Sequence, residues 1–547
     1  MAVAGLTRRS VLQGLGAVSI AGCGPAKSLP PIDGRITGRV DAERGHRLRG
    51  AFAPGEGPAE ECDVCIVGGG VAGLTAAWRL GRAGVRNVEL LELGDRLGGT
   101  AAAGESAFGA HPLGAHYVTL PNPGARHMHA LLADAGVLIG GTAAAPQWDP
   151  LALAFAPQER LYDAGVWSEG LWPTTAGSEA AAQRESFDAH CAQWTAAVGA
   201  DGLRAFEIPL WRSSRDPAVR ALADESFAAY CDRHGWTDPA LRWWLRYGVR
   251  DDYGAEPEDV SAWAGLHYHC ARAPAVVDDL GTRVLTWPSG NGHLVAQLAR
   301  GLARPPRLGA VVRRVERVGD ATEVWFERDG LRRIRCRHAV LAVPAMVADV
   351  LTGRVGPGRP TAAPWRVAAL SVERLPASRG LAAAWDSVVM GSESLGYVSS
   401  GHQRLGRGGG AVLSWYEPLS RGEPRAQGRR LLEAEWAAEV DRVLSDLASA
   451  HADLRSVVRR VDVQHWGHGT VRPTVGLHGG DGLASLATPW PGISFAHTDN
   501  SGLSLFEEAS WHGVRAAEEA LGFWAGGVGA AAARGGPMTP ERGESLL

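Results

Sequence analysis

Lysine is almost absent from this chain. Of its 55 basic residues one is a lysine, Lys27, so 55 − 1 = 54 are arginines. Tyr (8) and Phe (10) are also few beside 72 Gly, the pattern that GC-rich coding produces. Whatever the cause, a catalytic Schiff-base or pyridoxal-binding lysine and the lysine of a Walker A loop are excluded from the body of the protein. Concentrated positive charge is missing as well. Net charge is −4 and no basic block occurs, which excludes an electrostatic nucleic-acid binder. A composition of 45% hydrophobic and 21% charged residues excludes a disordered chain. Past the N-terminus no stretch reaches the roughly 20 apolar residues that span a bilayer. Cysteine is sparse, and Cys62 and Cys65 form a C-x-x-C with no second pair at zinc spacing and no thioredoxin-like setting. Cys65 opens an apolar strand, so it reads as a buried structural thiol. At 547 residues the chain can bury its core without disulfides. At about 150 residues per domain that length corresponds to three or four domain-equivalents, or to one large two-lobed enzyme.

Residues 1–23 read as an address label rather than as fold. Thr7-Arg8-Arg9-Ser10-Val11-Leu12 resembles a twin-arginine export signal, and a weakly apolar Gly/Ala/Val stretch follows. Ile20-Ala21-Gly22-Cys23 resembles a lipobox, in which Cys23 carries the lipid and begins the mature chain. Cleavage there removes Arg8 and Arg9 and shifts the net charge to −4 − 2 = −6. The twin-arginine route carries proteins already folded, often around a cofactor. The leader therefore predicts a bound cofactor, a periplasmic or cell-surface location, and membrane attachment through the lipid alone.

Residues 24–60, rich in Pro, Gly and charge, read as a tether. From 62 to 93 the order is strand, Gly-rich turn, helix (Val71 to Arg82), strand (Val88 to Leu91). Residues 125–280 are expected to be mostly helical and are Trp-rich. Strands are expected at Val311 to Val315, Glu323 to Phe326 and Ala339 to Val343, then at Val367 to Val372 and Ala411 to Trp415. Gln427 to Ala450 has one apolar side at helical spacing. A strand from Gly492 to Ala496 leads into a helix from about Phe506 to Leu521. The fold class is α/β: a discontinuous Rossmann-like domain (61–125, 285–350 and 485–525) and a second, mixed α+β substrate domain (126–284 and 351–484), with 526–547 as a flexible tail.

Gly68-Gly69-Gly70-Val71-Ala72-Gly73 fits G-x-G-x-x-G between a strand and a helix. Gly68 permits the tight turn, Gly70 lets backbone approach a pyrophosphate, and Gly73 lets helix and strand pack closely. The amides of Val71 and Ala72 then stand at the helix N-terminus, where anions are favoured. Glu92 ends the second strand of the same unit, where a carboxylate accepts both ribose hydroxyls and repels a 2′-phosphate. NADP is thereby disfavoured, with NAD and FAD both open on these residues.

The continuation separates the two. Glu92-Leu93-Gly94-Asp95-Arg96-Leu97-Gly98-Gly99 matches E-x-x-x-R-x-G-G, with Arg96 a cation near the pyrophosphate and Gly98-Gly99 running close under a flavin. This resembles the flavin-containing amine oxidase family, which includes monoamine and polyamine oxidases and protoporphyrinogen oxidase. Leu285 to Leu294, around Pro288-Ser289-Gly290, looks like that family's segment leading to the adenine-contacting strand, where Val311 or Val312 would meet the adenine. Phe495 to Ala517 resembles its closing strand–turn–helix, with Glu508 where the family has Gly and His512 where it usually has Ser. The acidic residue after the strand is Asp499, with Thr498 competing. Amides near Leu505 would face the N1/O2 edge of the flavin. The resemblance is carried by these three separate pieces of the chain and implies FAD as cofactor.

The same resemblance implies oxidation of a small amine, such as a polyamine, by hydride-equivalent transfer to flavin N5, with oxygen or a membrane acceptor taking the electrons. Many relatives hold a lysine at N5 for the reaction with oxygen, and no lysine beyond Lys27 exists here. A dehydrogenase, or an arginine or histidine substitute, follows as the alternative. Candidate substrate-side residues are His116 and Tyr117 after the Gly98-Gly99 turn, and Trp466 and His468 upstream of the closing segment. Tyr397, Trp415 and Tyr416 are further aromatics able to line a pocket. A desaturase or protoporphyrinogen-oxidase-like enzyme, and a non-catalytic FAD-binding scaffold, are the competing functions. A Trp-rich pocket without carboxylates would suit the apolar substrate of the desaturase or protoporphyrinogen-oxidase-like enzyme.

Overall fold

The computed structural model describes residues 29–55, 58–272, 284–354, 359–405 and 409–526. The leader with Cys23, Lys27 and nearly all of the C-terminal tail lie outside them. Among the described residues no helix is long and apolar enough to cross a membrane.

Two sheets organise the fold, which is α/β with a Rossmann-like unit as its sequence implies. The smaller has six strands drawn from three separate stretches of chain. Glu60–Val67 lies parallel between Val88–Leu91 and Leu331–Leu341, and Ile493–Phe495 joins the far side of Leu331–Leu341, also parallel. Val311–Val318 and Ala321–Glu327 extend the sheet as an antiparallel meander. The central strands are near-continuous apolar runs because both faces are covered, as parallel sheets require. Val64, Cys65, Ile66, Ala339, Val340 and Leu341 are all fully buried. Helix Val71–Arg82 covers one face and packs against the C-terminal helix Phe506–Gly526. Their contact depends on Gly513, whose Cβ would fall 2.3 Å from the Ala72 carbonyl oxygen, with Ala516, Ala517 and Ala520 buried along the same helix.

The larger sheet has eight strands. Thr361–Val372 and Val458–Arg472 form its antiparallel spine, with Ala411–Pro418 on the other side of the former. Three expectations change here. The segment 24–60 is no bare tether, because Asp33–Thr37 adds a parallel edge strand to Val458–Arg472 and Arg39–His46 is a helix. The stretch 125–280 opens with helix Arg126–Asp134 but turns mostly helical only from Ser178 on. Leu138–Thr142, Ala145–Trp148, Glu159–Asp163 and Val166–Glu169 are strands, and Glu159–Asp163 pairs with the distant Asp386–Val389, a partner that no local pattern reveals. The long helix at Gln427 to Ala450 is two helices, Pro424–Glu433 and Trp436–Leu447, with Ala434 and Glu435 extended between them. Glu423 caps the first by accepting from the Arg425 and Ala426 amides, and Trp436 pins the second by donating to the Val461 carbonyl (2.9 Å). Helices from Ser178–Ala196 to Ala262–Cys270 form a lobe with its own apolar core.

All six described cysteines are buried and unbridged.

Candidate functional site

At the end of strand Glu60–Val67 the chain turns through Gly68-Gly69-Gly70 into helix Val71–Arg82. Gly68 has φ +104°, and a Cβ there would lie 2.3 Å from the Ala342 carbonyl oxygen; a Cβ on Gly73 would lie 2.0 Å from the Gly68 carbonyl oxygen. These two glycines let strand and helix touch. Gly70 differs, because nothing lies within 4 Å of the place its Cβ would take. No side chain caps this helix, so the amides of Val71, Ala72 and Gly73 face the open space beside Gly70. Gly98 donates its N–H to the Gly69 carbonyl (2.8 Å), which docks the Gly98-Gly99 turn onto the first one.

Glu92 braces the cradle. Its Oε2 accepts the Gly69 N–H (2.6 Å) and its Oε1 the Gly94 N–H (2.7 Å), which leaves a second lone pair on each oxygen for a ribose hydroxyl. Burial raises its pKa, and the two amides offset part of the rise. Arg96 is exposed, with no ion pair among the described residues. Val312 is buried in its strand. Asp499 accepts the Ala345 N–H on Oδ2 (2.8 Å) and pairs with His497 through Oδ1 (3.0 Å). Burial would raise its pKa, but His497 and the Ala345 amide hold it below the usual range. Open space, uncapped amides and an acceptor pair at the strand end together fit the pyrophosphate and ribose of a dinucleotide.

Next to this cradle lies a cavity of about 140 Å³. Its floor follows from strand alternation: Trp365 faces Trp466 across one strand pair and Val367 faces Tyr416 across the next, so all four share one face of the large sheet. Trp466 is locked by donating Nε1–H to the Leu113 carbonyl (2.6 Å). Gly114 to Tyr117 form a wall, and Leu505 to Glu507, entering the C-terminal helix, form another. The His116 ring lies 5.0 Å from Tyr416 and 5.7 Å from Trp385, centroid to centroid. Its Nδ1 is 3.2 Å from the Gly114 carbonyl, which places the proton on Nδ1 and leaves Nε2 as an acceptor. Burial pushes its pKa down to about 4, so it is neutral at physiological pH.

The remaining wall is charged. Asp251 and Asp252 come from the last turn of helix Pro239–Tyr253. Tyr117 donates its hydroxyl to Asp251 Oδ2 (3.2 Å). Arg272 grips both oxygens of Asp252 (2.9 and 3.1 Å) and donates to the Tyr268 carbonyl. Asp251 lies deep in the protein yet opens partly onto the cavity. Burial, then repulsion from Asp252, pushes its pKa up to about 7. Glu507 accepts from the Thr119 hydroxyl (2.6 Å), and burial raises it also. Asp386, behind Tyr416, is raised well above the carboxylate range by burial and by Glu159.

Of the substrate-side candidates, the structure brings His116, Tyr117 and Trp466 together in this cavity with Tyr416. His468 stands apart: it is exposed, and its charged neighbours are Asp499, Arg49 and His46. Tyr397 and Trp415 pair on the opposite face of the sheet, Tyr397 bonded to Arg160 and His451, Trp415 to Asp446. Asp251, Asp252 and Arg272 escaped the sequence reading, and Glu507 was read only as part of the closing strand–turn–helix. One signal was available: two adjacent acids in the last turn of an aromatic-rich helix sit against the helix dipole, an arrangement that needs a compensating reason.

Residues 66–135 match the model of an NAD(P)-binding Rossmann-like domain. Coproporphyrinogen III oxidase of Mycobacterium tuberculosis is 32% identical over 168 residues, 30% of this chain and 33% of that one. The chain thus matches about a third of the length of these curated relatives. Among solved structures, a putrescine oxidase superposes with TM-score 0.63 at 17% identity, over 85% of this chain and 100% of that one. Cyclohexylamine oxidase from Brevibacterium oxydans superposes with TM-score 0.59 at 17% identity, over 84% and 98%. At these identities the likeness is one of fold.

Proposed function

We propose that the protein is an FAD-dependent oxidoreductase of the amine oxidase type that oxidises a small amine. One observation carries the reading: aromatic rings and carboxylates converge on a single small cavity beside a dinucleotide cradle. Gly70, the Val71–Gly73 amides, Glu92 and Arg96 would hold the cofactor, with Val312, Asp499 and Leu505 along its length. FAD supplies the oxidation, because a bound flavin accepts a hydride equivalent. The protein's part is binding and orientation. Trp365, Tyr416 and Trp466 confine the carbon chain, neutral His116 offers an Nε2 acceptor to an amine N–H, and the acidic wall favours a substrate that arrives as a cation.

Anaerobic mixing with a panel of primary amines tests this, read as bleaching of the flavin absorbance. Bleaching by small amines supports the reading, and a yellow protein that no amine bleaches rejects it. A protein without flavin absorbance after supply of FAD rejects the cofactor too. Electrons would leave to oxygen or to a membrane acceptor. Absence of lysine from the cavity favours slow reoxidation by air.

A porphyrinogen-type reaction is the second reading, favoured by the similarity to coproporphyrinogen III oxidase. Against it, the cavity of about 140 Å³ is smaller than the roughly 300–1,000 Å³ that drug-sized ligands occupy. It is also lined by carboxylates. Delivery by the twin-arginine leader, with a lipid on Cys23, completes the proposal. Arg8→Lys with Arg9→Lys should strand the protein in the cytoplasm, and the mature N-terminus should carry the lipid mass.

A further inference from the structure

An amine free in water near neutral pH is an ammonium ion, with a pKa near that of lysine, about 10.4. Its nitrogen lone pair is then tied up by the proton, and the adjacent C–H bond cannot yield a hydride until that proton leaves. The cavity must therefore contain a proton acceptor as well as rings. This question rests on the proposed amine reading.

Four groups in the cavity wall are able to accept. Glu507, held at Oε1 by the Thr119 hydroxyl (2.6 Å), stands beside Leu505 at the start of the C-terminal helix, on the side assigned to the cofactor. His116 presents Nε2, but burial with no acidic partner leaves it a weak base, with its pKa at about 4. Asp252 is committed as the counter-charge of Arg272, which grips both its oxygens. Asp251 is different in geometry. Tyr117 engages Oδ2 alone (3.2 Å), and among the described residues Oδ1 makes no hydrogen bond. The carboxyl opens partly onto the cavity beside His116 and Tyr117, where an amine seated among the rings can meet this oxygen. We propose that Asp251 takes the proton from the bound substrate's ammonium group, with Tyr117 holding the carboxylate in place. The O–H bond forms on Asp251 as the N–H bond of the ammonium breaks. The electron pair of that N–H bond stays on nitrogen, and no oxidant is involved in this step.

The surroundings suit that task. Asp252 on the same helix and, more distantly, Glu159 and Asp386 repel charge on Asp251, while Arg272 opposes them. The facing phenols of Tyr117, Tyr268 and Tyr416 are kept neutral by burial. The balance leaves Asp251 with a pKa of about 7, largely ionised at mildly alkaline pH and a far stronger base than an ordinary carboxylate.

The experiment uses tert-butylamine, which has no α-hydrogen and is not oxidised, titrated into the FAD-loaded protein at pH 8 in buffers of different ionisation enthalpy. With wild-type protein the proton is shared within the Asp251–amine pair, and well under one proton per amine reaches the buffer. With Asp251→Asn the proton has no internal acceptor, and about one proton per amine is released. An Asp251→Asn protein that binds without releasing a proton, or that no longer binds while the wild type does, shows an ammonium that stays charged against Asp251 and overturns the proposal. Release of a full proton by the wild type does the same. Flavin reduction by an oxidisable amine is the second readout. At pH 8 Asp251→Asn should reduce on the order of 10²-fold more slowly and follow the amine's own ionisation, and Asp251→Glu should restore the limb near pH 7. An unchanged pH profile in Asp251→Asn overturns the base assignment. No binding and no bleaching by any amine in the wild type would fail the amine reading itself, and this inference with it.

Discussion

Replacing Glu508 with glutamine makes a quantitative test of the packing at the start of the C-terminal helix. The Glu508 side chain is fully buried there. One oxygen accepts the Leu210 N–H (2.6 Å) and the other has no hydrogen-bond partner. Burial pushes the carboxyl up to about 8 from an ordinary 4.5, with the Leu210 amide and the nearby Ser501 offsetting only part. The sign follows from proton counts. Between pH 4.5 and 8 the unfolded chain has lost this proton while the native protein keeps it, so stability falls as pH rises across that window. It is fully present below about 4.5 and flat again above about 8. At 1.36 kcal/mol per pKa unit, a displacement of about 3.5 units limits the loss to about 5 kcal/mol. Glutamine keeps the acceptor for Leu210 and cannot ionise. Glu508→Gln should therefore match the wild type at pH 5 and exceed it by a few kcal/mol at pH 8.5, read from urea unfolding midpoints at both pH values. Parallel pH profiles for the two proteins would refute the buried, proton-holding carboxyl.

Three further substitutions probe the packing and the site. Gly513→Ala places a methyl 2.3 Å from the Ala72 carbonyl oxygen, so the two helices must separate; a loss of about 1–3 kcal/mol, with weaker flavin retention, is expected in unfolding and dialysis assays. Arg272→Ala leaves Asp252 buried without its partner and should cost about 3–5 kcal/mol near neutral pH, with most of the loss recovered on adding Asp252→Asn. Glu92→Ala removes the brace on Gly69 and Gly94 and the acceptors for a ribose; flavin should be lost on gel filtration, and full retention would remove that role from Glu92.

Local chemistry made the nucleotide half legible. Gly68, Gly73, Glu92 and the Gly98-Gly99 turn lie close together along the chain, and each is tied to a backbone need: a positive φ, a close approach, a strand end. Such needs leave marks in adjacent letters. The strands Val311–Val318 and Ile493–Phe495 were readable for a similar reason, since buried strands carry their apolar runs wherever they pair. The strand at Glu159–Asp163 was not. Its partner is remote in sequence, and Arg160 is satisfied only in that partner's neighbourhood, by Ser378, Leu381, Ser387 and Tyr397. Asp33–Thr37 hid in a Pro- and Gly-rich stretch for the same reason.

The acceptor side of the cavity shows the boundary most clearly. Sequence alone determined that no lysine could serve in the body of the protein, that a dinucleotide turn opens the fold, and that His116, Tyr117 and Trp466 were worth naming. Tertiary structure decided that these three meet while His468 does not. It also decided that Tyr416 faces the cavity and Trp415 the buried core on the opposite face of the sheet, and that Asp251 faces the rings. Facing is a property of strand register and helix docking, set by pairings between distant segments. A lone aspartate in a helix carries the same letter whether it looks into solvent or into a cavity. Only the packing around it moves its proton from the ordinary carboxylate range to neutrality.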